Sequence, residues 1–449
     1  MRLTAIGQKK MHKMPCGLPS DLPCGLPFDQ PYYLPCGQAA DAHRTPHTAT
    51  RPNSVPFTSP SHSMKYTFLP GGSTLSTERH YFPGNNTPQG FFSYYKYILG
   101  QREANRIICI KGGPGTGKST FMKRIGERFA ELGEDIDYLH CSADENSLDG
   151  VILKNRKIAL IDGTSPHITD PVTPGAVDKI INLGEFWNEE GIAVNKDEII
   201  DLNEESARWY RIAYNYLNAA KSVYRSLEEV YIRAVEDSEI YRIVADITAA
   251  EYISHPICLR PGRQKKFFAG AITAGGLVNY LGSLLENIRK VYIVSVPEGF
   301  PNHSFMEILK EGAVYRGFDT EIFYCPMGPD EKIDHLIVPQ LSLAFVTANE
   351  YHDIEPWELF DEDETGRLTE KEITLIDIND YMKQHILEEN TVLMTALKEE
   401  FEILLGRTIK ALGSARDAHL KVESMYIPNM NFTRISALSE QVFDELSKI

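Results

Sequence analysis

Cysteine is scarce: seven in 449 residues, an odd count too thin for a disulfide scaffold and in keeping with a reducing, cytoplasmic setting. No run of 18 apolar residues occurs, so no membrane-spanning helix is expected. Basic side chains are outnumbered, 46 Lys and Arg against 62 Asp and Glu, for a net charge of −16. The first 63 residues hold six basic and three acidic side chains, which leaves about −19 for the rest. Such a surface disfavours a sequence-independent grip on nucleic acid, whose phosphates need a basic face. What is there is ordinary: 42% hydrophobic and 24% charged residues, at a length for two or three domains.

Three of the cysteines, Cys16, Cys24 and Cys36, sit in a Pro-Cys-Gly-rich leader. Their gaps are uneven and longer than the paired spacing of zinc modules. Pro, Gly and Asp interrupt every candidate signal core. Residues 1–63 therefore read as a disordered low-complexity leader, and Met64 as a plausible start of the folded part.

The chain matches itself. At an offset of 184, "KGGPGTGKSTF" (111–121) lies on "SVPEGFPNHSF" (295–305), and "DIDYLHC" on "DTEIFYC". With one more residue, "IALIDGTSPH" (158–167) falls on "LAFVTANEYH" (343–352), and at 195 "LEEVYIRA" falls on "VESMYIPN". A slowly growing offset is what duplication followed by loop insertion leaves. The expected division is 64–257, a linker at 258–265, and 266–449, each copy an α/β domain with a mostly parallel sheet and a long-helix arm.

Within the first copy, Thr87-Pro88 predicts a helix N-terminus. "RIICI" predicts a buried strand, and "STFMKRIGERFAELG" a helix closed by Gly133. The aromatics Phe91, Tyr94 and Tyr95 read as core residues rather than an adenine platform. A heptad seam from Tyr210 to Ala234 predicts a long helix packed lengthwise, docked on its own copy's core. The second copy keeps the seam in part, broken by Thr408 and His419, the latter read as a packing residue.

"GGPGTGKST" spells Gly112, Gly113, Pro114, Gly115, Thr116, Gly117, Lys118, Ser119 and Thr120, and fits the phosphate-loop pattern between an apolar strand and an amphipathic helix. The glycines let backbone N–H groups turn inward around a polyphosphate. Lys118 brings positive charge to the β and γ phosphates, and Ser119 brings a hydroxyl to Mg²⁺. Asp162, ending "IALID", suits the second magnesium-holding position, although Asp-Gly is also a common turn pair. Gly163 follows it, where many hydrolases carry a water-orienting Glu, so the acids Asp144, Glu145 and Asp149 are the nearest candidate bases. His167 fits either a γ-phosphate sensor or a structural histidine. Asp361–Glu372 fits an EF-hand loop, but it stands alone where such loops work in pairs, and reads as an inserted loop.

These segments resemble Walker A and Walker B of P-loop NTPases. The whole arrangement resembles a bacterial family of tandem P-loop ATPases whose role is uncharacterised, through "HCSADENSLDG", "IDGTSPH" and "PGAVDKIINLGEFW" as well. The resemblance implies ATP and Mg²⁺ binding and supplies no substrate.

In the second copy Asn302 stands for Lys118, His303 for Ser119, Pro301 for Gly117, Thr347 for Asp162, and Glu298 faces Pro114. One nucleotide site and one degenerate site are expected. Three functions follow: an ATPase that moves its arms or a partner, a phosphotransferase acting on a small-molecule acceptor, or an ATP-binding regulator with little hydrolysis.

Overall fold

The computed structural model describes residues 63–64, 76–165, 169–301, 303–352, 354, 359 and 371–449. Residues 59–449 form one compact unit. The short strand β1 (Ser63–Met64) comes first, then the first half: β2 (Glu78–Tyr81), a hairpin of β3 (Gly84–Thr87) and β4 (Gly90–Ser93), β5 (Arg106–Lys111) and α1 (Lys118–Ala130). It continues with β6 (Ile136–His140), β7 (Leu148–Leu153), β8 (Ile158–Asp162), β9 (Asp178–Asn182), α2 (Glu189–Ala193), α3 (Lys196–Ala234) and α4 (Asp237–Glu251).

The second half repeats the plan: β10 (Gln264–Phe267), the hairpin β11 (Gly270–Thr273) and β12 (Gly276–Asn279), α5 (Leu281–Leu285), β13 (Lys290–Ser295) and α6 (His303–Tyr315). Then come β14 (Thr320–Tyr324), β15 (Ile333–Val338), β16 (Leu343–Ala348), β17 (Glu372–Asp377), α7 (Gln384–Tyr426) and α8 (Phe432–Leu446).

The sheet orders are β2-β6-β7-β8-β5-β9 and β10-β14-β15-β16-β13-β17, the same topology twice, with β1 added at the edge of the second. Both sheets are mixed but mostly parallel, with β7 in the first and β15 in the second running against the other five strands of the repeated plan. β6 to β7 and β7 to β8 are joined by links too short for a crossover, so those pairs are antiparallel while β8, β5 and β9 are parallel. The backbone repeats in detail. Left-handed glycines recur in register at Gly90 and Gly276, Gly115 and Gly299, Gly133 and Gly317.

The Thr87-Pro88 helix does not form. Thr87 instead closes the β3–β4 turn, its Oγ1 donating to the Gly90 carbonyl at 2.8 Å and accepting the Gln89 N–H at 3.1 Å. Thr273 makes the same two contacts at the same lengths in β11–β12. A hydroxyl beside a Pro serves an ST-turn as readily as a helix cap.

Alternation along the strands builds the layers. In β5, Ile107 and Cys109 face a core shared by both sheets, with Val291 and Ile293 of β13 in the same core. Ile108 and Ile110 face the opposite side, where Phe121, Met122, Ile125 and Phe129 of α1 cover them. Phe121, Ile125 and Phe129 share one helical stripe through their spacing of four.

The arms are exchanged between halves. α8 of the second half packs on α1 of the first: Ile435, Val442 and Leu446 join the first sheet's outer core, and Glu440 pairs with Arg124 and Arg128 at 2.5 Å each. Reciprocally, Ile240, Val244 and Ile247 of α4 join the core around Met306 and Leu309 of α6. α3 and α7 run antiparallel between them. The Ser206 hydroxyl donates to the Ala415 carbonyl near one end, and the Tyr224 ring meets Phe401 farther along. The heptad seam therefore pairs with its own repeat, not with its own copy's core.

Candidate functional site

The link from β5 into α1 is a glycine loop whose shape depends on left-handed residues. Gly115 has φ +64°, and Gly117 has φ +84° as the residue preceding α1. A side chain at either would be strained. Thr116 Oγ1 donates to the Gly113 carbonyl at 2.8 Å and fixes the turn.

Lys118, the first helical residue, folds back over the loop, its Nζ donating to the Gly112 and Gly113 carbonyls at 3.2 and 3.0 Å. The same ammonium lies 3.6 Å from Asp162. That closeness follows from strand order, since β8 is the direct neighbour of β5 and Asp162 pairs in register with Ile110. Asp162 also accepts the Thr164 N–H at 2.8 Å and the Thr164 hydroxyl, so its turn role and its place beside Lys118 coexist. Ser119 Oγ accepts the Leu148 N–H at 2.9 Å.

These groups open into a cleft of about 710 Å³, lined by residues 112–120 with Asp144, Asp149 and Asp162. That size lies in the range of small-molecule sites. Asp149 is 2% exposed and lies beside the buried Cys141 thiol and Tyr95, whose hydroxyl is pushed up by burial and then by the Asp149 charge. Glu145 does not line the cleft. It turns toward the second half, 3.8 Å from Arg416 and close against Gly275. As a candidate base it is displaced, whereas Asp144 remains. His167 and residues 361–370 of the EF-hand-like stretch lie outside the described residues.

The opposite wall comes from the other half, which the spacing of motifs did not reveal. Arg416, His419 and Glu423 reach it from α7, Ile427 from the turn just after it and Phe432 from α8, while Asn203 and Tyr210 come from α3. His419, expected as a packing residue, faces the cleft instead, 3.6 Å from Glu423. Glu423 accepts the Gly115 N–H at 3.3 Å. A carboxylate thus sits on a loop amide, and His419, then Gly115 and Lys118, hold its pKa below the ordinary range against the effect of burial. The one signal for this wall was the break of the α7 heptad at His419, where the seam opens; the other break, Thr408, stays buried by donating its hydroxyl to the Leu404 carbonyl.

At the corresponding place in the second half, Glu298 is 3% exposed, accepts the Tyr351 hydroxyl at 2.8 Å and lies 3.9 Å from Lys398. Thr347, the counterpart of Asp162, is fully buried and donates its N–H to His335 Nδ1 at 3.3 Å. Asn302 and the side chain of His303 lie outside the described residues. No helix among the described residues is long and apolar enough to cross a membrane, and none of their acidic, His and Cys side chains cluster as a metal site. Compared with known protein families, curated proteins and solved structures, the chain matches none.

Proposed function

We propose that the chain is a Mg·ATP-binding P-loop ATPase with one working nucleotide site, in its first half. The observation that carries this reading is the Lys118 ammonium 3.6 Å from Asp162 at the mouth of a glycine loop. The Gly115 N–H already holds an anionic oxygen, the contact a phosphate oxygen would take over. Lys118, now on two loop carbonyls, would reach the β and γ phosphates. The Ser119 hydroxyl and Asp162 carboxylate are hard oxygen donors of the kind Mg²⁺ takes. When bound, the ion supplies neutralisation of phosphate charge. Asp144 and Asp149, both lining the cleft, are the carboxylates left to orient a water, because Gly163 offers none.

The second half reads as a pseudo-site. Glu298 puts a buried carboxylate where an anion would have to sit, already bonded to Tyr351. A second reading, an ATP-binding regulator with little hydrolysis, is favoured by Gly163 and by the Glu423 carboxylate resting on the loop.

Calorimetric titration with Mg·ATP tests the site assignment and should give one nucleotide per chain, unaltered by Asn302→Ala. Two sites, or none, would overturn it. Phosphate release at saturating Mg·ATP then separates ATPase from regulator.

A further inference from the structure

A second cavity, of about 70 Å³, lies in the other half, where Tyr224 of α3 and Phe401 and Leu405 of α7 meet the β11–β12 hairpin and the ends of β14 to β16. Its walls are mostly apolar, yet Lys332 and Asp334 line it at 8% and 2% exposure. Lys332 donates to the Tyr224 hydroxyl at 2.5 Å, and no carboxylate is ion-paired with it among the described residues. The nearby Asp334 is engaged elsewhere, accepting from His352 Nε2 at 3.1 Å. Asn349 Oδ1 accepts the Tyr351 and His352 N–H groups at 2.9 and 3.0 Å, which fixes the flip of its amide and leaves Nδ2 as a donor. Burial pushes the Cys325 thiol up to about 12, so it is a neutral part of the wall.

We propose that this cavity binds a small organic carboxylate, its head between Lys332 and Asn349 and its chain among Ile272, Phe401 and Leu405.

The chemistry decides the class. The Lys332 ammonium feels the Asp334 carboxylate at longer range and touches a hydroxyl directly, so its three N–H donors are not used up and a second anion can bond to it. The apolar walls suit a hydrocarbon tail and would leave a phosphate's remaining oxygens unsatisfied. Comparison of the halves points the same way. Lys332 stands where the first half has the neutral Ser147, so the second half has a cation at this wall that the first lacks.

The cavity is also linked to the glycine-loop cleft. α3 and α7 line both, and their Ser206–Ala415 and Tyr224–Phe401 levels lie about 27 Å apart along α3 and about 21 Å apart along α7 at the helical rise per residue. The inference rests on Lys332 and its surroundings and stands whether or not the loop binds ATP.

The test uses the full chain and butyrate as probe, followed by saturation-transfer NMR, with butyramide as the neutral isostere. Butyrate should bind at least about tenfold more tightly than butyramide, as expected when one partner's charge assists the hydrogen bond. Lys332→Met should abolish the signal while far-ultraviolet circular dichroism stays unchanged. Should Lys332→Met misfold, Val278→Phe decides the matter: it fills the cavity from the hairpin side, keeps Lys332, and should also abolish binding. Absence of butyrate binding at millimolar concentration, equal binding of butyramide, or undiminished binding in Val278→Phe overturns the proposal.

Discussion

Lys118 and Glu423 face the same loop from opposite halves with opposite charge, and each supports a distinct expectation. Removing the ammonium in Lys118→Ala leaves the loop itself only backbone dipoles to offer the phosphates. The thermal stabilisation by ATP, about 2.7 kcal/mol at a hundredfold excess over Kd, should vanish while the unliganded melting temperature holds. Glu423 does the reverse. Its carboxylate occupies the Gly115 N–H and, being held ionised, repels an incoming polyphosphate. Glu423→Ala should therefore tighten Mg·ATP binding severalfold, below about tenfold because the carboxylate is partly in water. Calorimetry showing weaker binding would mean that Glu423 supports the loop instead. At this scale the first-half site was legible, because left-handed glycines, a lysine and a strand-end aspartate must be written locally. Arg416, His419 and Glu423 were not, because nothing near the loop encodes which distant helix will lie across it.

The elements show a similar division. Strands and helices with a strong period, such as β5 and α1, appear where the pattern puts them, while the β3–β4 hairpin does not. Four residues are too few to show a period, and Thr-Pro serves turns and helix starts alike. The seam of α3 announced a partner but not its identity; only the exchange of arms supplies it. That exchange makes α8 part of the first half's core, where Leu446 is fully buried beside Phe129 and Ile158 although both lie in the other repeat. Leu446→Ala should cost about 2–5 kcal/mol, like other buried leucine truncations. Urea unfolding would measure it. A loss below half a kcal/mol, the usual scale for surface changes, would mean that α8 does not hold this place.

For the whole molecule, the seam between the halves carries a buried charge cluster. Arg79 of β2 donates to Asp137 of β6 at 2.9 Å and to Glu321 of β14 at 2.8 Å, so one guanidinium joins both sheets. Burial alone would raise both carboxyls, but Arg79, with Lys154, outweighs it and holds them below their ordinary 3.8 and 4.5. Groups depressed in the folded state stabilise it above their unfolded pKa values and lose that contribution as pH falls through the folded ones. Stability should therefore drop below about pH 4, and less steeply in Arg79→Met, where the depression is gone. That variant should be about 3–5 kcal/mol less stable at neutral pH, having left two carboxylates buried without their cation. Denaturant midpoints across pH would record both effects.

The crossed arms also bear on how the two copies can drift apart. In a simple tandem pair, a copy that stops using its own loop is free to decay throughout. Here the wall facing the first loop is built from Arg416, Glu423 and Phe432, and α8 closes the first sheet's outer face. A substitution in the second repeat is therefore read out in two places: its loop end answers to the first half's α3, where Gly299 lies close against Leu227 and Phe300 meets the Tyr231 ring, while its arm answers to the other's cleft. Tolerance to mutation should follow those contacts, strict at Gly299 and Phe300, which lie against α3 of the first half, and strict at the buried positions of residues 405–446, a boundary set by which half a residue touches rather than by which repeat it descends from.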